Sequence, residues 1–129
     1  MEEQSRALVV DDCRISQLLM KHVLTKAGVK ADCAGNGEQG LELALKNHYP
    51  LIFLDLLLPD IDGSEVCRRI RAATALERPR VYFITALGEG LSPSRVSAAG
   101  ADGIFFKPIV PSEILAAART ARLQPEVSR

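Results

Sequence analysis

Apolar runs and helical repeats alternate along the whole chain. Each short run of bulky apolar residues, bounded by turn residues, predicts a strand that is buried on both faces. The five predicted strands are residues 7–10, 29–34, 51–54, 81–84 and 104–106. Apolar residues at helical spacing predict five helices, over 13–27, from Asn36 to about 47, from the cap Ser64 through Ile70, over 92–99 and over 111–122.

The same spacing predicts which side of each helix faces the sheet. The inner face of the first helix is predicted to be Ile15, Leu18, Leu19, Val23 and Leu24. The inner faces of the next two helices are predicted to be Leu41, Ala44 and Leu45, and then Val66, Cys67 and Ile70.

Five strand–helix units in succession predict an α/β protein with a doubly wound parallel sheet, helices on both faces and right-handed crossovers. With 129 residues the chain has room for one domain. We expect this domain to occupy residues 1–123, and residues 124–129 to be a tail or the start of a linker. The initial Met1 favours a free-standing protein, although the tail is equally compatible with a larger regulator or a hybrid kinase.

The composition narrows the range of partners. Sixteen basic residues balance sixteen acidic ones, so no overall field indicates direct binding of nucleic acid or of an anionic membrane. No segment approaches the ~20 apolar residues of a membrane span. Three scattered cysteines are typical of proteins from a reducing compartment. The N-terminus is polar and acidic, unlike a signal peptide. We therefore expect a cytoplasmic protein.

Candidate chemistry lies where the predicted strands end. Asp55 follows the buried run 51–54, and a carboxylate there is costly unless a partner or a metal uses it. Asp11 and Asp12 follow the first strand, Thr85 ends the fourth, and Lys107 follows the fifth. The carboxyl ends of parallel strands meet at one edge, where ligands bind in open α/β sheets. An aspartate alone at a strand end is usually a turn former or helix cap, but five such residues at one edge predict a site.

The residue types at this edge predict phosphoryl transfer. Three converging carboxylates repel one another and favour a cation, and oxygen ligands with open positions suit Mg²⁺. The ammonium of Lys107 can neutralise a carboxylate or a phosphoryl oxygen, and the hydroxyl of Thr85 can donate a hydrogen bond to a phosphoryl group. Together these groups predict an aspartate, Asp55, that accepts a phosphoryl group.

Four motifs closely resemble the receiver domains of two-component response regulators, the CheY-like family. They are Val-Asp-Asp at 10–12, Asp55 with Leu-Pro-Asp-Ile-Asp-Gly at 58–63, Ile-Thr-Ala at 84–86, and Gly-Ala-Asp-Gly at 100–103 followed by Lys-Pro at 107–108. The resemblance extends from Leu8 to about Leu123 and implies the strand order 2-1-3-4-5.

The resemblance also implies a role for each site residue. Asp55 would be the phosphorylated nucleophile. Mg²⁺ would be bound by Asp12 directly, by Asp11 through water, by Asp55 and by the backbone carbonyl of Leu57. Thr85 would be the switch hydroxyl. Lys107 would pair with Asp55 and then with the phosphoryl group, and its bond to Pro108 would be cis.

Three positions depart from the usual family pattern. Ile104 replaces an aromatic residue three positions before Lys107. Since a β-branched side chain has few rotamers and no ring to swing, we expect altered coupling between Thr85 and the output surface, unless the change is harmless drift. Leu57 and Leu87 follow Asp55 and Thr85 by two residues, where polar groups that orient water are common in fast-hydrolysing receivers. We therefore expect slow loss of the phosphoryl group.

The predicted function is a signalling module rather than an enzyme with an external substrate. A histidine kinase or phosphotransfer protein would phosphorylate Asp55, and an unidentified partner would read the change through the face of the fourth helix, fifth strand and fifth helix. The main alternative is a phosphorylation-independent scaffold. A phosphatase of the haloacid-dehalogenase type would need a second aspartate where Leu57 stands, and a flavodoxin-like cofactor binder would need a phosphate loop after the first strand.

Overall fold

In the described part of the chain, a parallel sheet of five strands forms the centre of the fold. The computed structural model describes residues 5–74, 78–86 and 93–123. The strands are β1 (Ser5–Val10), β2 (Val29–Ala34), β3 (Leu51–Leu54), β4 (Arg80–Thr85) and β5 (Gly103–Phe106). The helices are α1 (Arg14–Lys26), α2 (Gly37–Lys46), α3 (Gly63–Ala73), α4 (Pro93–Ala98) and α5 (Pro111–Leu123). The strand order is β2-β1-β3-β4-β5, which confirms the expected doubly wound fold.

The register of the sheet brings the carboxyl ends of neighbouring strands level. Val10 lies opposite Leu54 where β1 pairs with β3, and Thr85 lies opposite Phe106 where β4 pairs with β5. The residues that directly follow β1, β3 and β5 therefore emerge at one edge of the sheet.

Successive strand residues face opposite sides of the sheet, and each side has its own apolar core. Leu8 and Val10 of β1 contribute to the core beneath α2, α3 and α4. Ala7 and Val9 contribute to the core beneath α1 and α5. Because β3 and the last four residues of β1 are covered on both faces, they are wholly apolar, as expected for inner strands of a parallel sheet.

The predicted inner face of α1 is wrong in its first two turns. Ile15 and Leu18 are 76% and 55% exposed, whereas Met20, Val23 and Leu24 are buried. Toward the N-terminus of α1, the buried side of the helix lies over the polar end of β1. Gln17 occupies it, and its side-chain amide donates to the backbone carbonyl of Asp11 at 2.6 Å. The inward position is therefore polar, and the apolar residues beside it face solvent.

Two further predictions about helices are corrected. Leu45 of α2 is exposed, because the buried side of this helix consists of Gly37, Gly40 and Ala44, and Gly40 lies close against Val10. Ser64 is not the cap of α3. Asp62 is, and its carboxylate accepts hydrogen bonds from the backbone N–H and the hydroxyl of Ser64, both at 2.8 Å.

Other element boundaries differ by a few residues. β1 begins at Ser5 rather than at 7, and α1 begins one residue later and ends one residue earlier than expected. The predicted start of the fourth helix at Ser92 and the predicted tail 124–129 lie outside the described residues. Among the helices that the structure describes, none has the length and apolarity required to cross a membrane.

Gly63 permits the close approach of α3 to the end of β3. A Cβ at this position would overlap the carbonyl oxygen of Asp55 and lie 2.7 Å from the Cα of Leu56. The Gly63 N–H also donates to the carbonyl of Leu56 at 3.0 Å, so this helix start is held directly against the backbone that carries Asp55.

We therefore expect Gly63→Ala to destabilise the fold by about 1–3 kcal/mol or more, because the backbone must move to relieve the overlap. Urea unfolding measures this change. The matched control is Gly35→Ala, whose new Cβ would meet only the Gln17 amide at 3.9 Å; it should change stability by less than ~0.5 kcal/mol. Equal stability of the two variants would contradict the expectation.

Candidate functional site

The structure brings the predicted site residues together at the carboxyl edge of the sheet. Asp11 and Asp55 directly follow β1 and β3 and are held in line with the sheet by backbone hydrogen bonds. The Asp11 N–H donates to the carbonyl of Ala34 at 3.0 Å, and the Asp55 N–H donates to the carbonyl of Val10 at 2.9 Å. These bonds extend the ladder one residue past each strand and orient both carboxylates toward the same space.

Three carboxylates converge here. Asp11, Asp12 and Asp55 each offer an oxygen atom within 4.8 Å of the others. Asp11 and Asp55 are 3% and 4% exposed, while Asp12 is exposed to solvent. Two carboxylates of the cluster are therefore buried, and solvent reaches the cluster at the third, Asp12.

Lys107 provides the positive charge of the cluster. Its Nζ lies 3.0 Å from Oδ2 of Asp11 and 3.1 Å from Oδ2 of Asp55, so one ammonium bridges the ends of β1 and β3. The backbone N–H of Lys107 donates to the carbonyl of Thr85 at 2.8 Å, which fixes the start of its side chain. Three carboxylates face one ammonium, so two negative charges remain uncompensated within this cluster.

Burial and charge shift the acidity of two groups. Burial is the largest influence on Asp55 and raises the pKa of its carboxyl above 3.8, although the Leu57 N–H and Lys107 oppose the shift. For Lys107, burial acts to lower the pKa, but hydrogen bonds to Asp11 and Asp55 outweigh it, and the pKa is raised above 10.5. Lys107 is thus a firmly held cation beside a carboxylate that is costly to ionise.

Backbone amides occupy the remaining oxygens of the two buried carboxylates. Oδ1 of Asp11 accepts a hydrogen bond from the Cys13 N–H at 2.9 Å, and Oδ1 of Asp55 accepts one from the Leu57 N–H at 3.1 Å. Each is an Asx turn, in which the carboxylate bonds to the amide two residues later. Both side chains are therefore oriented by their own loops.

The structure also describes four of the other predicted residues, Thr85, Leu57, Ile104 and Pro108. Thr85 is fully buried, and the Lys107–Pro108 peptide is cis. Leu57 is exposed beside the site, and Ile104 is partly buried against the core beneath α4. Leu87 lies outside the described residues.

Two residues near the site were not predicted from sequence. Gln17 bonds to the carbonyl of Asp11, as described above. Asp60, in the loop between β3 and α3, accepts backbone hydrogen bonds from Gly37 and Glu38 at the start of α2, at 2.7 and 2.9 Å. In the sequence, an Asp after a Pro indicates only a turn. The contact of Asp60 with α2, which begins more than 20 residues earlier in the chain, becomes visible only in the folded structure.

The donor set fits a hard divalent cation. All side-chain candidates are carboxylates, which together with backbone carbonyls and water are the ligands that Mg²⁺ prefers. A dication would compensate the two negative charges that Lys107 leaves, and the exposed side of Asp12 would let a hydrated ion enter. Cys13 follows the acidic pair but does not belong to the cluster of possible ligands found among the described residues.

We expect Asp55→Asn to stabilise the protein at pH 7 without Mg²⁺. A raised carboxyl pKa means that ionisation of Asp55 costs folding free energy as the pH rises above 3.8. The neutral amide avoids this cost, on the order of 1 kcal/mol at pH 7, and the gain should shrink as the pH falls toward about 4. Urea unfolding in a chelator at several pH values measures it.

The control for this prediction is Glu42→Gln, which removes an exposed carboxylate paired with Lys46 on α2. It should change stability by less than ~0.5 kcal/mol at every pH. An Asp55→Asn protein less stable than wild type at pH 7, or a gain that grows with acidity, would refute the linkage.

Comparisons with known proteins show the family of the chain. Residues 7–119 match the response regulator receiver domain family. The chain is 35% identical over 112 residues to the transcriptional regulatory protein ResD of Bacillus subtilis, covering 87% of this chain and 45% of ResD. It is 35% identical over 115 residues to the transcriptional regulatory protein CusR of Escherichia coli K12, covering 89% of this chain and 50% of CusR. The chain thus spans about half the length of these relatives.

Solved structures give the same result. A two-component response regulator from Clostridium difficile is 30% identical, with a TM-score of 0.83 over 97% of this chain and 100% of that one. The BeF3-activated receiver domain of DrrB is 26% identical, with a TM-score of 0.82 over 93% of this chain and 98% of that one. The chain belongs to the response regulator receiver domain family of two-component signal transduction.

Proposed function

We propose that this protein is a phosphorylation-controlled signalling receiver in which Asp55 accepts the phosphoryl group. The observation that supports this most directly is the position of Lys107, whose ammonium contacts both Asp11 and Asp55 within a cluster of three carboxylates. This arrangement has a nucleophile, a fixed cation and oxygen ligands for a metal in one small space.

In the proposed reaction a carboxylate oxygen of Asp55 attacks the phosphorus of a phosphohistidine. An oxygen–phosphorus bond forms, the phosphorus–nitrogen bond breaks, and the imidazole leaves with the electron pair of that bond. Bound Mg²⁺ would reduce the charge on the transferred group and align it with the carboxylate. We propose that Asp11, Asp12, Asp55 and the carbonyl of Leu57 hold it.

The chain's own cation and hydroxyl would stabilise the product. Lys107 is bonded to Asp55 before reaction, so its ammonium is positioned to follow the negative charge onto a phosphoryl oxygen. Thr85 ends β4 next to β5, where a hydroxyl can donate to another phosphoryl oxygen. Conversion of one carboxylate into a dianionic acyl phosphate would redistribute these contacts and shift the fold between two states.

Exposed apolar side chains support a protein as the phosphodonor. Ile15, Leu18 and Leu57 are each more than half exposed. Ile15 and Leu18 lie in α1, which follows the acidic pair, and Leu57 lies in the loop that follows Asp55. Apolar groups grouped around a charged site are typical of a protein contact. We propose that a histidine kinase or phosphotransfer protein docks here while its phosphohistidine reaches Asp55.

The output is proposed to pass through the face formed by α4, β5 and α5. Ile104 of β5 contacts the core beneath α4, so a change at Thr85 on the neighbouring strand can reach this face by packing. Because Ile104 has no ring to reorient, we propose a smaller response here than in receivers with an aromatic residue at this position. The matched relatives are transcriptional regulatory proteins, and control of transcription is the output that we propose for the whole pathway.

The alternatives have weaker support. A phosphatase of the haloacid-dehalogenase type would need a second aspartate two residues after Asp55, and the residue at that position is the apolar Leu57. A scaffold that ignores phosphorylation would have no use for a buried carboxylate cluster that costs stability.

We expect acetyl phosphate with Mg²⁺ to add one phosphoryl group to the wild-type chain, measured by intact-protein mass spectrometry. Asp55→Asn should abolish the addition, because an amide nitrogen or oxygen does not form the acyl phosphate. Chelation of Mg²⁺ should also reduce it strongly. Glu42→Gln, which changes an exposed carboxylate outside the cluster, should be modified like wild type.

Retention of the modification in Asp55→Asn would contradict the assignment of the nucleophile. Absence of modification in wild type would favour the scaffold, and continuous hydrolysis of a small phosphoester would favour the phosphatase. Beryllofluoride, the activator in the DrrB structure, provides a stable mimic for mapping the responding surface by NMR. A response across α4, β5 and α5 as large as in an aromatic-bearing receiver would contradict the proposal for Ile104.

We expect the phosphoryl group to be lost slowly, because the exposed side chain of Leu57 cannot orient an attacking water. Leu57→Asn supplies a hydrogen-bonding group and should speed the loss by about two- to tenfold, the effect of one ordinary hydrogen bond. Decay after removal of the donor measures the rate. Leu45→Asn, at an exposed leucine of α2, should leave it unchanged, and loss from wild type within seconds would refute the expectation.

A further inference from the structure

We propose that Asp60 is a positioning residue that holds the loop between β3 and α3 in the geometry required for Mg²⁺ binding. This inference rests on the proposed function, since it concerns the metal site that we assign to Asp55 and Leu57. It concerns a side chain that makes none of the proposed metal contacts and acts only through the backbone.

The contacts of Asp60 cross between two elements. Its Oδ1 accepts a hydrogen bond from the Gly37 N–H at 2.7 Å, and its Oδ2 accepts one from the Glu38 N–H at 2.9 Å. Oδ1 also accepts the N–H of Ile61 at 2.9 Å, within its own loop. One carboxylate therefore ties the middle of the loop to the first turn of α2.

The first turn of α2 is capped jointly from two places. A helix begins with four N–H groups that have no partner within the helix. Asp60 accepts hydrogen bonds from two of them, those of Gly37 and Glu38. The side chain of Asn36, the local cap, accepts one from a third, that of Gln39, at 2.8 Å, and the first regular helical bond follows from the Gly40 N–H to the Asn36 carbonyl at 3.0 Å. The helix end is complete only when the loop is in place.

Packing brings the loop and helix into direct contact at this point. A Cβ on Gly37 would lie 3.1 Å from the Cβ of Ile61 and 3.1 Å from a methyl group of Val66. The absence of a side chain at Gly37 thus allows Asp60 to reach the helix amides. Ile61 and Leu58 of the same loop also pack against the core beneath α2 and α3.

Hydrogen bonds from backbone N–H groups fix the loop at both ends. At its start, the Leu57 N–H donates to Oδ1 of Asp55 at 3.1 Å. At its end, the Gly63 N–H donates to the carbonyl of Leu56 at 3.0 Å. Asp60 anchors the segment between them to α2. Release of this anchor would let the peptide of Leu57, whose carbonyl is a proposed ligand, sample other orientations.

Three variants separate positioning from helix capping. Asp60→Ala removes the anchor, and Asn36→Ala removes a cap of the same helix that has no bond to the loop. Both should lower the urea midpoint of unfolding by a similar amount, because each removes an acceptor that caps α2. Asp60→Asn keeps one acceptor oxygen and removes the charge, so it separates hydrogen bonding from long-range attraction of the cation.

Two measurements are made on the full chain: Mg²⁺ affinity by NMR titration, and hydrogen exchange of the Leu57 amide without metal. We expect Asp60→Ala to weaken Mg²⁺ binding on the order of tenfold, as for other residues that orient metal ligands, and to accelerate Leu57 exchange. Asn36→Ala should change neither, and Asp60→Asn should retain most of the affinity.

Equal effects of Asp60→Ala and Asn36→Ala would overturn the proposal, because capping alone would then explain them. Equal loss in Asp60→Asn and Asp60→Ala would also overturn it, in favour of a charge effect. If wild type binds no Mg²⁺, the proposed function fails, and Leu57 exchange still decides the role of Asp60: faster exchange in Asp60→Ala than in Asn36→Ala supports the anchor, and equal exchange overturns it.

Discussion

The structure depends on the compensation of buried negative charge at one edge of the sheet. Asp11 and Asp55 are almost fully buried, and their shared cation is a single ammonium, 3.0 and 3.1 Å away. Burial of carboxylates without full compensation is costly, and the raised pKa of Asp55 expresses that cost. The same charge imbalance would favour a dication, and it is the basis of the phosphoryl transfer that we propose for this edge. The cost in stability and the proposed reactivity have one origin.

The topology of the sheet determines which groups can share this charge. β1 and β3 are neighbours, so the residues that follow them meet directly, while Lys107 follows β5, two strands away from β3. The flexible, four-carbon side chain of lysine spans that separation, and the bond from the Lys107 N–H to the Thr85 carbonyl sets its starting point. The buried hydroxyl of Thr85 comes from the strand between them. A parallel sheet with this order therefore gathers residues separated by more than 90 positions in sequence.

Much of this arrangement can be predicted from sequence because it follows from patterns that repeat. Buried strands appear as short apolar runs, and chemistry-bearing residues at their ends stand out against them. Ile15, Leu18 and Leu45 were misplaced because helical periodicity assumes one uniform apolar face. α1 instead passes over a polar loop that Gln17 contacts, and α2 packs through glycines. The helix cap at Asp62 and the anchor at Asp60 depend on loop geometry and on contacts between distant elements, which residue spacing does not encode.

These unpredicted contacts have one feature in common, which is that each of them is made to a backbone group near the carboxylates. Gln17 holds the loop after β1, Asp62 and Gly63 hold the start of α3, and Asp60 holds the loop after β3. Each bonds to backbone, so the carboxylates are positioned by a frame of fixed peptides rather than by one another. Such a frame is needed because like charges, left to themselves, would separate by rotating away. The helix ends and loops therefore oppose the repulsion between the carboxylates at the acidic edge. We expect these same elements to move first when the charge at Asp55 changes.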